Sequence, residues 1–147
     1  MRMRSVWIVV ALVVLVLIPF QSLVAPDWKI TVMDEAHKPV KGALVRESYQ
    51  NYSIESQGRE SDAITDEFGR VSYPARKIHA SLLAHIFGVL RAATGGVHAS
   101  FGPSAYVNAF GAEGEGSWET DGHIGFWHGS PAHLESTIVL HPTKAPN

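Results

Sequence analysis

Three histidines, His123, His128 and His133, share a spacing of five residues. With Trp118, Phe126 and Trp127 they make residues 118–133 the stretch of this chain richest in groups that could do chemistry. Imidazole nitrogens are ordinary ligands for zinc, so a metal site, or a hydrolytic site built on a metal-bound water, is what such a cluster would support. Five residues alternate faces on a strand and rotate about 140° on a helix, so neither regular structure converges them. Only a loop could, and Gly122, Gly125, Gly129 and Pro131 permit one. No HExxH motif, CxxC motif or carboxylate cluster accompanies the histidines. The expectation is therefore histidines at turn ends and against aromatic rings, with no metal or other cofactor; metal binding or hydrolysis by residues 118–133 is the alternative.

Nucleophilic chemistry has less support. Ser100, Ser104 and Ser117 lack a nucleophile-elbow motif. Asp62 and Asp66 flank Thr65, but Asp66 is more simply a turn former whose carboxylate accepts backbone N–H bonds. Lys41, Arg46, Arg59 and Arg70 stand singly and read as a solvated face. No catalytic residue is assigned, and the chain is not expected to be an enzyme.

The elements that would hold these residues are mostly strands. Trp28, Ile30 and Val32 alternate with Lys29, Thr31 and Met33, which gives one strand with a buried face. Residues 40–52 alternate at first and lose the pattern after Val45, as a strand running out into a loop would. Ala63–Thr65 and Arg70–Tyr73 flank Asp66–Gly69 and are expected to form a hairpin, with Gly69 supplying a positive φ. Residues 76–93 break the rhythm: Ile78, Leu82, Leu83, Ile86, Phe87 and Leu90 recur at three and four, the spacing of an amphipathic helix that Gly95-Gly96 would stop. Strands are expected again at 97–101, 105–110 and 134–141, with residues 118–131 irregular or weakly stranded and 143–147 a tail.

About seven short strands with close turns predict an antiparallel β-sandwich with one helical insertion, mainly β in class. Asp34, Pro39, Val40, Gly42, Ala43 and Val45, followed by Thr65, Asp66, Gly69, Val71 and Tyr73, resemble the D-x-x-G-x-P-V-x-G-A-x-V and T-D-x-x-G-x-V-x-F motifs of carboxypeptidase regulatory-like domains. The resemblance implies a transthyretin-like (prealbumin-like) sandwich over 27–142. It implies no peptidase activity, because in metallocarboxypeptidases this module is an appendage to a separate zinc-bearing domain. His37 stands where that family has glycine, and histidine tolerates a left-handed φ better than most residues.

Residues 6–25 set the expected location. Fifteen apolar residues, Val6 to Phe20, follow Arg2 and Arg4, and twenty helical residues would span roughly 30 Å, enough to cross a bilayer. The basic flank would keep the N-terminus inside and send the remainder out. Residues 1–26 thus read as a membrane anchor or a signal segment; Leu23, Ala25 and Pro26 make a poor cleavage site, which favours the anchor. The chain has no cysteine, so disulfides are excluded. Beyond Arg2 and Arg4 it is mildly acidic, which offers no footprint for nucleic acid. The resulting expectation is a single-pass, membrane-tethered, extracytoplasmic module, periplasmic in a Gram-negative cell, with a binding or structural task and the membrane and an envelope protein as partners. Within the helical insertion, Leu82, Ile86 and Phe87 are expected to face the sheet, leaving Leu83 and Leu90 partly exposed as the contact residues.

Overall fold

The computed structural model describes residues 2–94, 100–120 and 122–142. The expected glycine stop at 95–96, the first residues of the strand at 97–101 and the tail 143–147 lie outside the described residues.

The apolar N-terminal run divides into a helix and a strand. Helix α1 (Arg2–Leu17) has sixteen residues, about 24 Å of rise. Pro19 ends it: its ring has no N–H to donate and restricts the residue before it to extended backbone. Ile18 makes a last helical bond to the Val14 carbonyl (3.0 Å). The chain then extends as strand β1 (Pro19–Ala25), in which Val24 and Ala25 are fully buried. No described helix is long and apolar enough to cross a membrane. The expected transmembrane helix over residues 6–25, and with it the single-pass placement, is corrected: the last third of the apolar run is used to build a sheet.

Strand β2 (Asp27–Met33) alternates as its sequence predicts, with Trp28, Ile30 and Val32 buried. A tight turn follows, in which His37 adopts φ 57° while Asp34 accepts the Lys38 N–H on its carboxylate (2.8 Å). Strand β3 (Leu44–Asn51) runs through the stretch where the alternation fades, because a glutamate, Glu47, occupies a core-facing position. Strands β4 (Arg59–Ile64) and β5 (Arg70–Tyr73) flank the Asp66–Gly69 turn. They are not a hairpin: β4 pairs with β3, and β5 pairs with β2. The turn is locally closed, with the Gly69 N–H donating to the Asp66 carbonyl, yet the chain passes from one sheet to the other across it.

The expected helical insertion over 76–93 is also corrected at its start. Residues 76–81 form strand β6 (Arg76–Ser81), antiparallel to β1, and helix α2 begins only afterwards (Leu82–Ala93). Ile78 therefore belongs to a strand opposite Ser22. Strands β7 (Pro103–Gly111), β8 (Gly114–Ser117), β9 (Glu119–Thr120), β10 (His123–Ile124) and β11 (His133–Val139) complete the chain.

The protein is mainly β. Its described strands form a four-stranded sheet in the order β4–β3–β7–β8, a three-stranded sheet β11–β2–β5, and the pairs β1–β6 and β9–β10. β11 runs parallel to β2, so the expectation of a wholly antiparallel arrangement is corrected. One buried cluster joins the two larger sheets: Trp28, Ile30, Val32, Tyr73 and Ile138 from one, Val45, Val107 and Ala109 from the other. This two-layer packing is consistent with a β-sandwich. Thr65 ties the layers' turns together, its hydroxyl donating to the Val40 carbonyl (2.7 Å) and accepting the Ala43 N–H (2.9 Å).

The β1–β6 ribbon continues β2–β5 beyond Pro26 and Pro74, and its register shifts within β1, between Leu23 and Ala25. Its underside packs on β3 and β7. Its far end carries both helices, α1 leading into Pro19 and α2 leaving from Ser81 opposite it.

Candidate interaction surface

At that far end lie most of the exposed large apolar side chains among the described residues. Val6, Trp7, Ile8, Val9 and Val10 are all exposed, and five consecutive residues at about 100° each sweep the whole circumference of a helix. A helix apolar on every side is normally buried on every side. Only its C-terminal half is partly covered here: Leu12, Val13, Val16 and Leu17 line a cleft of about 340 Å³ closed by Leu83 of α2.

Helix α2 is amphipathic, and it is mounted with its apolar face outward. The side against the body holds Ser81, His85 and Gly88, spaced at four and three. His85 lies between Ser81 and Ser22: Nδ1 is 3.0 Å from the Ser81 carbonyl and Nε2 is 3.2 Å from the Ser22 hydroxyl. A carbonyl can only accept, so Nδ1 carries a proton, and in the neutral ring Nε2 then accepts from Ser22. The ring also stacks on Phe20, 4.9 Å between centroids. Gly88 rests on the Ser53 carbonyl so closely that a Cβ there would overlap it. The seat is firm, since Ser53 Oγ accepts the Gly102 N–H (3.0 Å) and the Ser53 N–H donates to Asn51 Oδ1 (3.1 Å).

Leu82, Ile86 and Phe87 consequently do not face a sheet. They are exposed, Phe87 by 63%, together with Val89 and Leu90, the latter by 60%. Leu83 is half-buried against α1, and Leu90 is open. Of the two residues expected to make contacts, one lies in the groove between the helices and the other on the free face. The periodicity of the sequence located the apolar face; the small-polar stripe Ser81, His85 and Gly88 was the overlooked sign that the opposite face is the docked one.

The histidine-rich segment is arranged differently. Trp127 is buried, pairs with Ala105 through both backbone groups and donates its indole N–H to the Pro131 carbonyl (2.7 Å). Trp118 packs edge-on against Trp28 at 5.0 Å. His123 and His128 are exposed, His128 near Phe126, and His133 sits 3.1 Å from Asp27. Glu35, His37, Glu119 and His141 line one shallow depression, where only the His141–Glu35 pair touches (3.1 Å). Among the described residues no three His, Asp or Glu side chains are grouped to hold a metal. Asp66 serves its turn, accepting the Phe68 and Arg70 N–H groups at 2.9 and 2.8 Å, bonds that hold its carboxyl below the usual range.

One titratable residue escaped the sequence reading. Glu47 is fully buried, and its nearest cation is Arg76, with Nε 3.5 Å from Oε2. Among the described residues neither carboxylate oxygen accepts a hydrogen bond, and Arg76 Nε donates none. Arg76 Nη2 instead donates to Ser61 (3.1 Å), and its guanidinium lies over the Tyr49 ring. Burial pushes the Glu47 carboxyl up to about 7, against the opposing pull of Arg76. The fading of the strand pattern after Val45 was the signal it left in the sequence.

No protein-family model matches the chain, and a search of curated proteins finds no matching relative.

Proposed function

We propose that this protein is a non-catalytic binding module whose contact surface is the α1–α2 pair, and that the surface it covers is the apolar margin of a lipid layer, entered without crossing. The observation that carries this reading is the apolar circumference of α1. A partner docked on one face would leave most of that circumference exposed, whereas lipid surrounds a helix on every side. α2 adds an outward apolar face with Arg91 in its last turn, the composition of a helix lying at a lipid interface. The sequence places Arg2 and Arg4 at the start of α1, where cations pair with anionic headgroups. At about 24 Å, α1 is shorter than the ~30 Å hydrocarbon core.

The resemblance to carboxypeptidase regulatory-like domains belongs to this reading. It is supported by the positive φ of His37, Gly42 and Gly69 and by the Thr65 hydroxyl bridge, which give the shared motif residues structural tasks in turns. In that reading the β body holds the helices in place and does no chemistry.

Flotation of the full chain with phosphatidylcholine vesicles containing about a quarter phosphatidylglycerol tests the proposal. The full chain is expected to float. Val9→Asp should reduce binding by tenfold or more, because a buried apolar side chain is worth roughly 1.5–3 kcal/mol. Leu83→Ser with Leu90→Ser should weaken it by several-fold. A chain that stays at the bottom of the gradient, or that self-associates without touching vesicles, overturns the lipid reading.

A further inference from the structure

The ribbon that carries both helices meets the body at one buried ionisable side chain. Glu47 points from β3 into the layer beneath β1–β6 and meets Arg76, the first residue of β6. The other groups around it supply no second charge. Tyr73 of β5 has committed its hydroxyl proton to the Val45 carbonyl (2.7 Å). Ser61, opposite Glu47 on β4, accepts from Arg76, while Glu60 and Asp62 of that strand engage Arg46 and Arg59 engages Glu55. Tyr49 of β3 lies under the guanidinium, Val107 of β7 stands opposite Glu47 in register, and β1 has no ionisable side chain.

A fully buried carboxylate that accepts no hydrogen bond from the described residues is poorly compensated by one guanidinium at 3.5 Å. The protonated acid fits there far better than the anion. An ionised Glu47 gains most by being hydrated, and the lid over it is the ribbon.

We propose that Glu47 is a proton-operated latch: protonated, it lets the β1–β6 ribbon lie closed on β3, and ionised it favours an opened ribbon in which water reaches the carboxylate and the two helices lose their fixed seat. The sign follows from linkage. The closed state holds its proton up to about pH 7, and an opened, hydrated glutamate would release it near 4.5, so closure binds the proton more tightly and opening rises with pH. With those two limits the opening equilibrium increases on the order of 30-fold from about pH 5.5 to about pH 8.5. Opening of this kind is local, leaving the main core in place. Its consequence for lipid contact rests on the function proposed above; the latch itself does not.

Hydrogen exchange of the full chain tests it, with the amides of β1 and β6 compared against those of β2 and β5 at each pH to remove the intrinsic acceleration of exchange. In the wild type, protection of β1 and β6 should fall relative to β2 and β5 on the order of tenfold or more across that range. Glu47→Gln keeps the shape and cannot ionise, and its ribbon should stay protected throughout. A carbon-13 titration of the Glu47 carboxyl in the unmodified chain needs no variant and should show a midpoint near 7. A midpoint in the ordinary carboxylate range, or the same loss of protection in Glu47→Gln, overturns the latch. Vesicle flotation at both pH values separates the two proposals: exchange that follows pH in a chain that never floats supports the latch and removes the lipid reading alone.

Discussion

Replacing Gly88 by alanine sets two effects of opposite sign against each other. In an exposed helix alanine is favoured over glycine by about 1 kcal/mol, so a freely solvated α2 would gain from the change. In this structure a Cβ at position 88 overlaps the Ser53 carbonyl. Ser53 cannot retreat cheaply. Its N–H and hydroxyl are both engaged, and the Asn51 carbonyl beside it accepts the N–H groups of Ile54 and Glu55. The helix must lift instead, which pulls His85 from Ser22 and from its stack on Phe20. Overpacking costs about 1–3 kcal/mol and the lost hydrogen bond about 1, so after the propensity gain Gly88→Ala should destabilise by about 2 kcal/mol. Urea unfolding followed by tryptophan fluorescence reads the loss, and hydrogen exchange should show faster exchange in α2. Ala84→Gly, exposed on the same helix, is the control and should lose about 1 kcal/mol through propensity alone. A Gly88→Ala protein stabilised by about 1 kcal/mol, with unchanged exchange in α2, would refute the docked face assigned here.

The two turn glycines should separate in the same assay. Gly42 has φ +77° and open space where a Cβ would go, so Gly42→Ala should cost only the strain of about 1 kcal/mol. Gly69 has φ +71° and a Cβ position 2.5 Å from the Val32 carbonyl, so Gly69→Ala should cost clearly more, about 2–4 kcal/mol, and equal losses would argue against the close approach. Thr65→Val keeps the shape but strands the Val40 carbonyl and the Ala43 N–H, for an expected loss of about 2 kcal/mol that Thr65→Ser largely avoids. Asp66 has a depressed pKa, so its contribution to stability is full above the ordinary aspartate range and is lost as pH falls through its folded value; in Asp66→Asn that acid-side decline should be shallower in pH-dependent melting.

Local chemistry alone determined the parts of this protein that depend on neighbouring residues. Trp28, Ile30 and Val32 form a half-buried strand because alternate side chains on any extended backbone share a face. His37, Gly42 and Gly69 take positive φ at the turns where their types permit it. Pro19 was the local sign passed over in the reading of residues 6–25 as one helix: a proline has no N–H to donate and kinks or ends a helix. Tertiary structure decided what depends on distant partners. The Asp66–Gly69 turn looks like a hairpin in sequence, but the two strands it joins find better partners in β3 and β2 and so belong to different sheets. Residues 76–81 read as helix from their spacing and extend because β1 pairs with them along their whole length, with one irregularity between Leu23 and Ala25. For α2, periodicity showed that one face is apolar and could not show what that face meets; the fit of Gly88 over Ser53 turned it outward. Glu47 is the clearest case, since a glutamate in a strand is ordinarily at the surface, and its burial beside Arg76 depends on a ribbon more than twenty residues away in sequence.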